Sequence, residues 1–269
     1  MSASNSGTNR IDSALSNAST GLWPFIAAGY PCLEITEALL KAMNGLPIRG
    51  VELGIPFSDP IADGPVIQHA FSKALDGGIT LSRIFEMVSK VRSEIDYPLL
   101  AMVSASIVYR VEIEPFVKKA GDAGFDGFIV PDISLEEAPT LAKSVGEQDL
   151  RLSMLVAPTT PADRQERIAA VASGFLYYVS IQGTTGARNA LPADLESQVR
   201  ALKASTSLPV LIGFGISRSE HVKEVCRYAD GAIVGSAIVR KISDSVKEGK
   251  SNDALVEDVT GFIHQLATG

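Results

Sequence analysis

The sequence predicts a (β/α)8 (TIM) barrel formed as one domain over residues 1–269. Three observations carry this expectation. Eight short runs rich in Val, Ile, Leu and aromatics recur along the chain, each bounded by Gly, Pro or Asp. Amphipathic stretches separate them, so strands alternate with helices and the sheet must be parallel. A length of 269 residues also suits a fold that closes on eight strands and uses about 250 residues. The same alternation permits a doubly wound open sheet, which is the alternative.

In chain order, residues 1–20 form a polar extension. Its opening, "MSASNSGTNR", has no hydrophobic signal core and reads as a frayed tail, with room for a short helix before the first strand. "LWPFIAA" (22–28) is the first strand and "LEITEALLKAMNGL" (33–46) the helix after it. "GVELGI" (50–55) and "PLLAMVS" (98–104) are the second and third strands, and "IEPFVKKAGDAG" (113–124) is the next helix. "GFIVPD" (127–132) and "LSMLVAP" (152–158) follow, each leading to a helix, "LEEAPTLAKSVGE" and "PADRQERIAAVAS". After "FLYYVS" (175–180), "ADLESQVRALKAS" places Leu195, Val199 and Leu202 at i, i+4 and i+7 on one helix face. "LPVLIGF" (208–214) and "GAIVGSA" (231–237) complete the strands. "NDALVEDVTGFIHQLA" then reads as a terminal helix sealing the barrel wall.

Composition narrows the function. Hydrophobic residues make up 46% and charged residues 20%, enough to bury a large core. The net charge of −7 comes without a basic block, which argues against nucleic acid or an anionic membrane surface as partner. No apolar run approaches the roughly 18 residues of a membrane span. Cys32 and Cys226 have no metal-ligand spacing and make no disulfide framework, so a reduced, cytoplasmic setting is expected. The short serine-containing start holds one arginine and is a poor plastid transit peptide.

A barrel keeps its chemistry at the C-terminal ends of the strands. In "VELGIPFSDPIADGP" (51–65), Val51, Leu53 and Ile55 alternate with Glu52 and Gly54, leaving Glu52 as the one charged side chain on its face of the strand. Glu52 is either a structural acid satisfied by backbone donors or a general acid whose pKa is raised by apolar walls. Asp63, in the proline-rich loop that follows, is either a turn or helix-capping residue or a second functional carboxylate. Asp132 falls on the same rim after the fourth strand.

"GFGIS" and "VGSAI" follow the last two strands, where barrels often bind phosphate. Gly213, Gly215, Gly235 and Ser236, with Gly186 from the sixth loop, are candidates to cradle an anion, although such glycines also make plain tight turns. "QGTTGARNALPAD", with Gly183 and Gly186 as hinge candidates and small polar residues between them, reads as a lid as much as a plain loop. His69, His221 and His264 are scattered, and no metal site, Walker loop or dinucleotide fingerprint is visible.

"VELGIPFSDPIADGPVIQ", with "PFIAAGYP", "PDISLEEA", "QGTTGAR", "GFGIS" and "DGAIVGSAIV" in that order, resembles the tryptophan synthase alpha chain family from about Pro24 to the end. The resemblance implies a cofactor-free retro-aldol cleavage of indole-3-glycerol phosphate to indole and glyceraldehyde 3-phosphate. By resemblance, Glu52 is the general acid and base, and Asp63 accepts a hydrogen bond from the indole N–H. Phe25 and Tyr177 line the substrate pocket. Thr185 is a lid residue meeting Asp63, and Gly186, Phe214, Gly215, Gly235 and Ser236 form the phosphate site. Pro56, Asp59 and Pro60 match the loop that touches a beta chain carrying pyridoxal phosphate, to which indole passes in an alpha2-beta2 tetramer.

Two departures stand out. Ser104 and Ser106 occupy positions where the family usually has tyrosine and asparagine, and Ile181 stands where an arginine is often found. Two other functions compete: a non-catalytic barrel that only activates a beta chain, and a stand-alone lyase releasing free indole. Retention of both Glu52 and Asp63 argues against the first.

Overall fold

In the computed structural model, which describes residues 9–16, 20–60, 63–179, 191–213 and 215–269, eight parallel strands close on themselves. They are β1 (Leu22–Ala27), β2 (Val51–Gly54), β3 (Leu99–Met102), β4 (Gly127–Ile129), β5 (Arg151–Val156), β6 (Leu176–Val179), β7 (Val210–Gly213) and β8 (Gly231–Val234). Pairing of β1 with β8, Trp23 opposite Ile233, closes the barrel and removes the open-sheet alternative.

The helices of the first half are α1 (Arg10–Ser16), α2 (Leu33–Ala42), α3 (Pro65–Asp76), α4 (Leu81–Val91), α5 (Ala105–Val111) and α6 (Ile113–Ala123). Those of the second half are α7 (Ala138–Glu147), α8 (Ala162–Val171), α9 (Leu195–Ser205), α10 (Ser219–Val225), α11 (Ser236–Lys247) and α12 (Asn252–Thr268). α12 buries Leu255, Val259, Ile263 and Leu266 along one stripe and packs on α11, α2 and α10, sealing the wall as its periodicity predicts.

One apolar layer lies between the sheet and the surrounding helices. A second fills the barrel itself, with Trp23, Leu100, Ile129, Phe175, Tyr177, Leu211 and Ile233. Small barrels have no lumen, so each bulky inward residue needs a neighbour that gives way. Here glycines do so. A Cβ at Gly54 would lie 2.5 Å from the Phe25 ring, one at Gly50 would enter the Trp23 ring, and one at Gly213 would strike the Tyr177 hydroxyl. The aromatic floor and the glycine gaps are two halves of one packing solution.

The frayed-tail expectation fails at Asn9 and Arg10. Ile11 is fully buried within the barrel-filling cluster, and Ala14 and Leu15 of the same helix face pack against that cluster. Asn9 anchors it by donating from Nδ2 to the Asp126 and Asp149 carbonyls at 3.1 and 2.9 Å, while its Oδ1 accepts from the Ile11 N–H at 2.9 Å. Arg10 pairs with Asp126 at 2.8 Å and Asp12 with Arg151 at 2.6 Å. α1 is therefore a plug. Ile11→Ala should cost about 2–5 kcal/mol, read as a lowered urea midpoint, because the rigid barrel wall cannot collapse onto the void.

Candidate active site

Glu52 is the second residue of β2, between Phe25 of β1 and Leu100 of β3, so it lies within the strand rather than on the rim. Its side chain is fully buried, and neither carboxyl oxygen has a hydrogen-bond partner among the described residues. A carboxylate in such a place loses its hydration without replacement. Burial accordingly raises its pKa well above the ordinary 4.5, so the structural reading, an acid satisfied by backbone donors, is not what the fold builds.

After β2 the chain turns outward. The Ile55 N–H donates to the Met102 carbonyl at 2.8 Å, and the Asp63 N–H donates to the Pro60 carbonyl at 3.1 Å. Gln68 Nε2 donates to the Asp63 carbonyl at 2.8 Å, fixing the entry into α3. The cap of α3 is Gly64, with Pro65 next, and no side chain caps it, so Asp63 is free of a capping duty. Its carboxyl pKa is pushed up to about 6, first by burial and then by the charge of Asp132.

Tyr177 on β6 joins the two acids. Its hydroxyl pKa is raised well above 10 by burial, then by Glu52 and Asp63. Phe25, Asp63, Ile67, Met102, Tyr177 and Ile233 line one part of a cleft of about 580 Å³, partly open to solvent, at the C-terminal ends of the strands. Glu52 is not a wall of this cleft. It is fully buried, with Phe25 of the cleft lining as its register partner on β1.

The polar part of the cleft comprises Gly215, Ser217, Gly235, Ser236 and Arg240. Gly215 has φ +77°, a left-handed conformation that favours glycine. Gly235 is the N-cap of the 12-residue helix α11, whose first amides carry partial positive charge.

A second cavity of about 420 Å³ shares Asp63 and Met102 with the first and extends to Phe57, Asp59, Pro60, Ser104 and Asp132. Here the departure at Ser104 acquires a role: its Oγ donates to Asp132 at 2.6 Å, and the Ala105 N–H donates to the other carboxylate oxygen at 2.8 Å. Two hydrogen bonds thus fix the Asp132 carboxylate facing the loop of Asp63. Asp132→Asn should lower the Asp63 pKa from about 6, by only part of its rise because burial is the larger cause. The acid limb of kcat/KM against pH would then move to lower pH.

Of the other expected site residues, Asp59 is exposed and Pro60 half-buried at the outer cavity, whereas Pro56 is buried within the chain. Thr185, Gly186 and Phe214 lie outside the described residues, as does Ile181. Sequence reasoning missed Ser217 and Arg240. Arg240 stands four positions after Ser236, a helical spacing that would have flagged it. Among the described residues, no cluster of three or more His, Cys, Asp and Glu could hold a metal, and no helix is long and apolar enough to cross a membrane.

A parallel eight-stranded barrel with an acid buried under a cleft, a second carboxylate in its wall and a glycine-rimmed helix N-terminus defines an enzyme moving protons on an anionic small molecule. The chain belongs to the tryptophan synthase alpha chain family, whose model matches residues 12–267. It is 44% identical over 253 residues to the tryptophan synthase alpha chain of Rhodopirellula baltica, covering 91% of each chain. It is 39% identical to that of Alkaliphilus metalliredigens, covering 96% of each. Among solved structures, the alpha chain of Legionella pneumophila superposes with a TM-score of 0.86 at 32% identity, covering 97% of this chain and 96% of that one. A Pyrococcus furiosus structure addressing mutual activation of the tryptophan synthase α2β2 complex matches with a TM-score of 0.83 at 34% identity, covering 91% and 97%. This family is one of carbon–carbon lyases of tryptophan biosynthesis, and the chain is such a lyase.

Proposed function

We propose that Glu52 and Asp63 together carry the retro-aldol cleavage of indole-3-glycerol phosphate to indole and D-glyceraldehyde 3-phosphate. The observation that carries this is Glu52 itself, fully buried and unpartnered among the described residues beneath the cleft. With its pKa raised by burial, it can deliver a proton to indole C3 once substrate fills the cleft. Positive charge then develops toward the indole nitrogen, where Asp63 accepts the N–H hydrogen bond and opposes that charge. The Glu52 carboxylate left behind takes the proton from the side-chain hydroxyl. The C–C bond to indole C3 breaks, its electrons return to the ring, and the hydroxyl carbon becomes the aldehyde. The proton count closes with Glu52 protonated again.

Phe25 and Tyr177 hold the indole, and the phosphate lies on Gly215, Gly235 and Ser236, completed by Gly186 and Phe214. Thr185 closes over Asp63. Residues 1–269 act as one domain in the cytoplasm, free of nucleic acid and membrane. Through the loop of Pro56, Asp59 and Pro60 the chain meets a beta chain carrying pyridoxal phosphate in an α2β2 assembly, with Asp59 as the exposed contact. This chain itself needs no cofactor. An indole-release assay on indole-3-glycerol phosphate, with and without a beta chain, tests the reading. Indole should form in both cases and faster with the partner. Stimulation of the beta chain without any cleavage would make this barrel an activator only.

A further inference from the structure

Binding a phosphate ester here brings an anion into a cleft whose wall already carries Asp63, with Glu52 below. Helix-end amides supply only partial charge, and that charge is shared among several donors. Among the described residues lining the cleft, Arg240 is the single cation.

Its surroundings leave it available. The adjacent Lys241 is taken by Asp258 at 2.6 Å, and Lys250 closes on the same carboxylate at 2.6 Å. Arg240 makes no ion pair among the described residues and is exposed at the mouth of the cleft. Geometry directs it as well. Residues four apart share a helix face, so Arg240 stands one turn beyond Ser236 on α11. Helical side chains lean toward the N-terminus, which carries the guanidinium back over the Gly235–Ser236 turn. Ile238, Val239 and Ile242 are buried and anchor the helix, so the base of the arginine is fixed while the residue itself is exposed.

We propose that Arg240 is a phosphate-recognition residue that closes on the substrate from the solvent side, supplying full charge and a two-pronged donor where the α11 turn supplies amides. The inference rests on the reading that the phosphate occupies the Gly215–Gly235–Ser236 rim. A planar guanidinium matches two phosphate oxygens at once, which a lysine ammonium does not.

The test uses the full chain with its beta chain and two readouts: steady-state cleavage of indole-3-glycerol phosphate, and binding of glycerol 3-phosphate. Arg240→Gln should raise KM and the glycerol 3-phosphate Kd by about 10-fold or more while kcat changes less than about threefold. Arg240→Lys should recover part of the loss. Lys247→Gln, the same charge change at the far end of α11, should alter neither, which separates local recognition from overall charge. KM and Kd within about twofold of wild type in Arg240→Gln would overturn the assignment. Gly235→Asp distinguishes this failure from that of the underlying reading. If Gly235→Asp weakens glycerol 3-phosphate and Arg240→Gln does not, only the arginine is wrong. If neither weakens it, the phosphate lies elsewhere and both fall.

Discussion

Glu52→Gln should fold and release indole about 10²–10⁴ times more slowly than wild type, at or beyond the upper end of that range because one residue moves the proton in both directions. The amide keeps the shape among Phe25 and Leu100 but can neither give a proton to C3 nor take one from the hydroxyl. Retention of a tenth of wild-type turnover would show that another group does the proton transfer. The same residue should reveal what the site costs the fold. Glu52→Met fills the space without polar atoms, and removing an unpaired buried acid stabilises by about 1–3 kcal/mol. The sign with pH follows from the raised pKa. Unfolded, the carboxyl ionises near its ordinary 4.5, whereas folded it resists ionisation to a much higher pH. Wild type therefore loses stability relative to Glu52→Met as pH rises from about 4.5 to the folded pKa, and the difference levels off above it. Urea midpoints at a series of pH values measure this directly.

Asp63→Asn should lower kcat by about 10²–10³, the scale of removing one preorganised electrostatic contact to a developing charge. An asparagine still presents an oxygen to the indole N–H but no negative charge to the cation forming behind it. In wild type, Asp63 must be ionised, and its pKa lies at about 6. kcat/KM should fall as pH drops through about 6, since below that value the neutral carboxyl no longer opposes positive charge. The Asp63→Asn profile should lack this acid limb. A variant with the same limb as wild type would mean that some other group titrates there.

Much of this was legible in the chain because it is local. Strand–helix alternation implies the barrel, and the isolation of Glu52 among Val51, Leu53 and Ile55 marks it in the sequence alone. What stayed hidden depends on closure. The two carboxylates meet at Tyr177 only because β6 stands across the barrel from β2, and Gly213 is needed because the Tyr177 hydroxyl fills its place. Asp132 perturbs Asp63 through a cavity shared by two separate loops, and Ser104, a departure in the sequence, holds Asp132 in position. A short helix had room in the polar extension, and Ile11, Ala14 and Leu15 fall at i, i+3 and i+4, but so short an apolar stripe does not say what it docks against. Only the open bottom of a barrel makes Ile11 an apolar contact worth burying.

Burial alone raises the Glu52 pKa in the resting enzyme, and its protonation state can be observed without any substrate. Isotope-edited infrared difference spectra, with carboxyl-13C glutamate in wild type and in Glu52→Gln, isolate this one group from Asp63. A protonated carboxylic acid band that persists at neutral pH, shifts with the label and vanishes in the variant is the result expected. A carboxylate band that titrates near 4.5, like any exposed glutamate, would contradict the account.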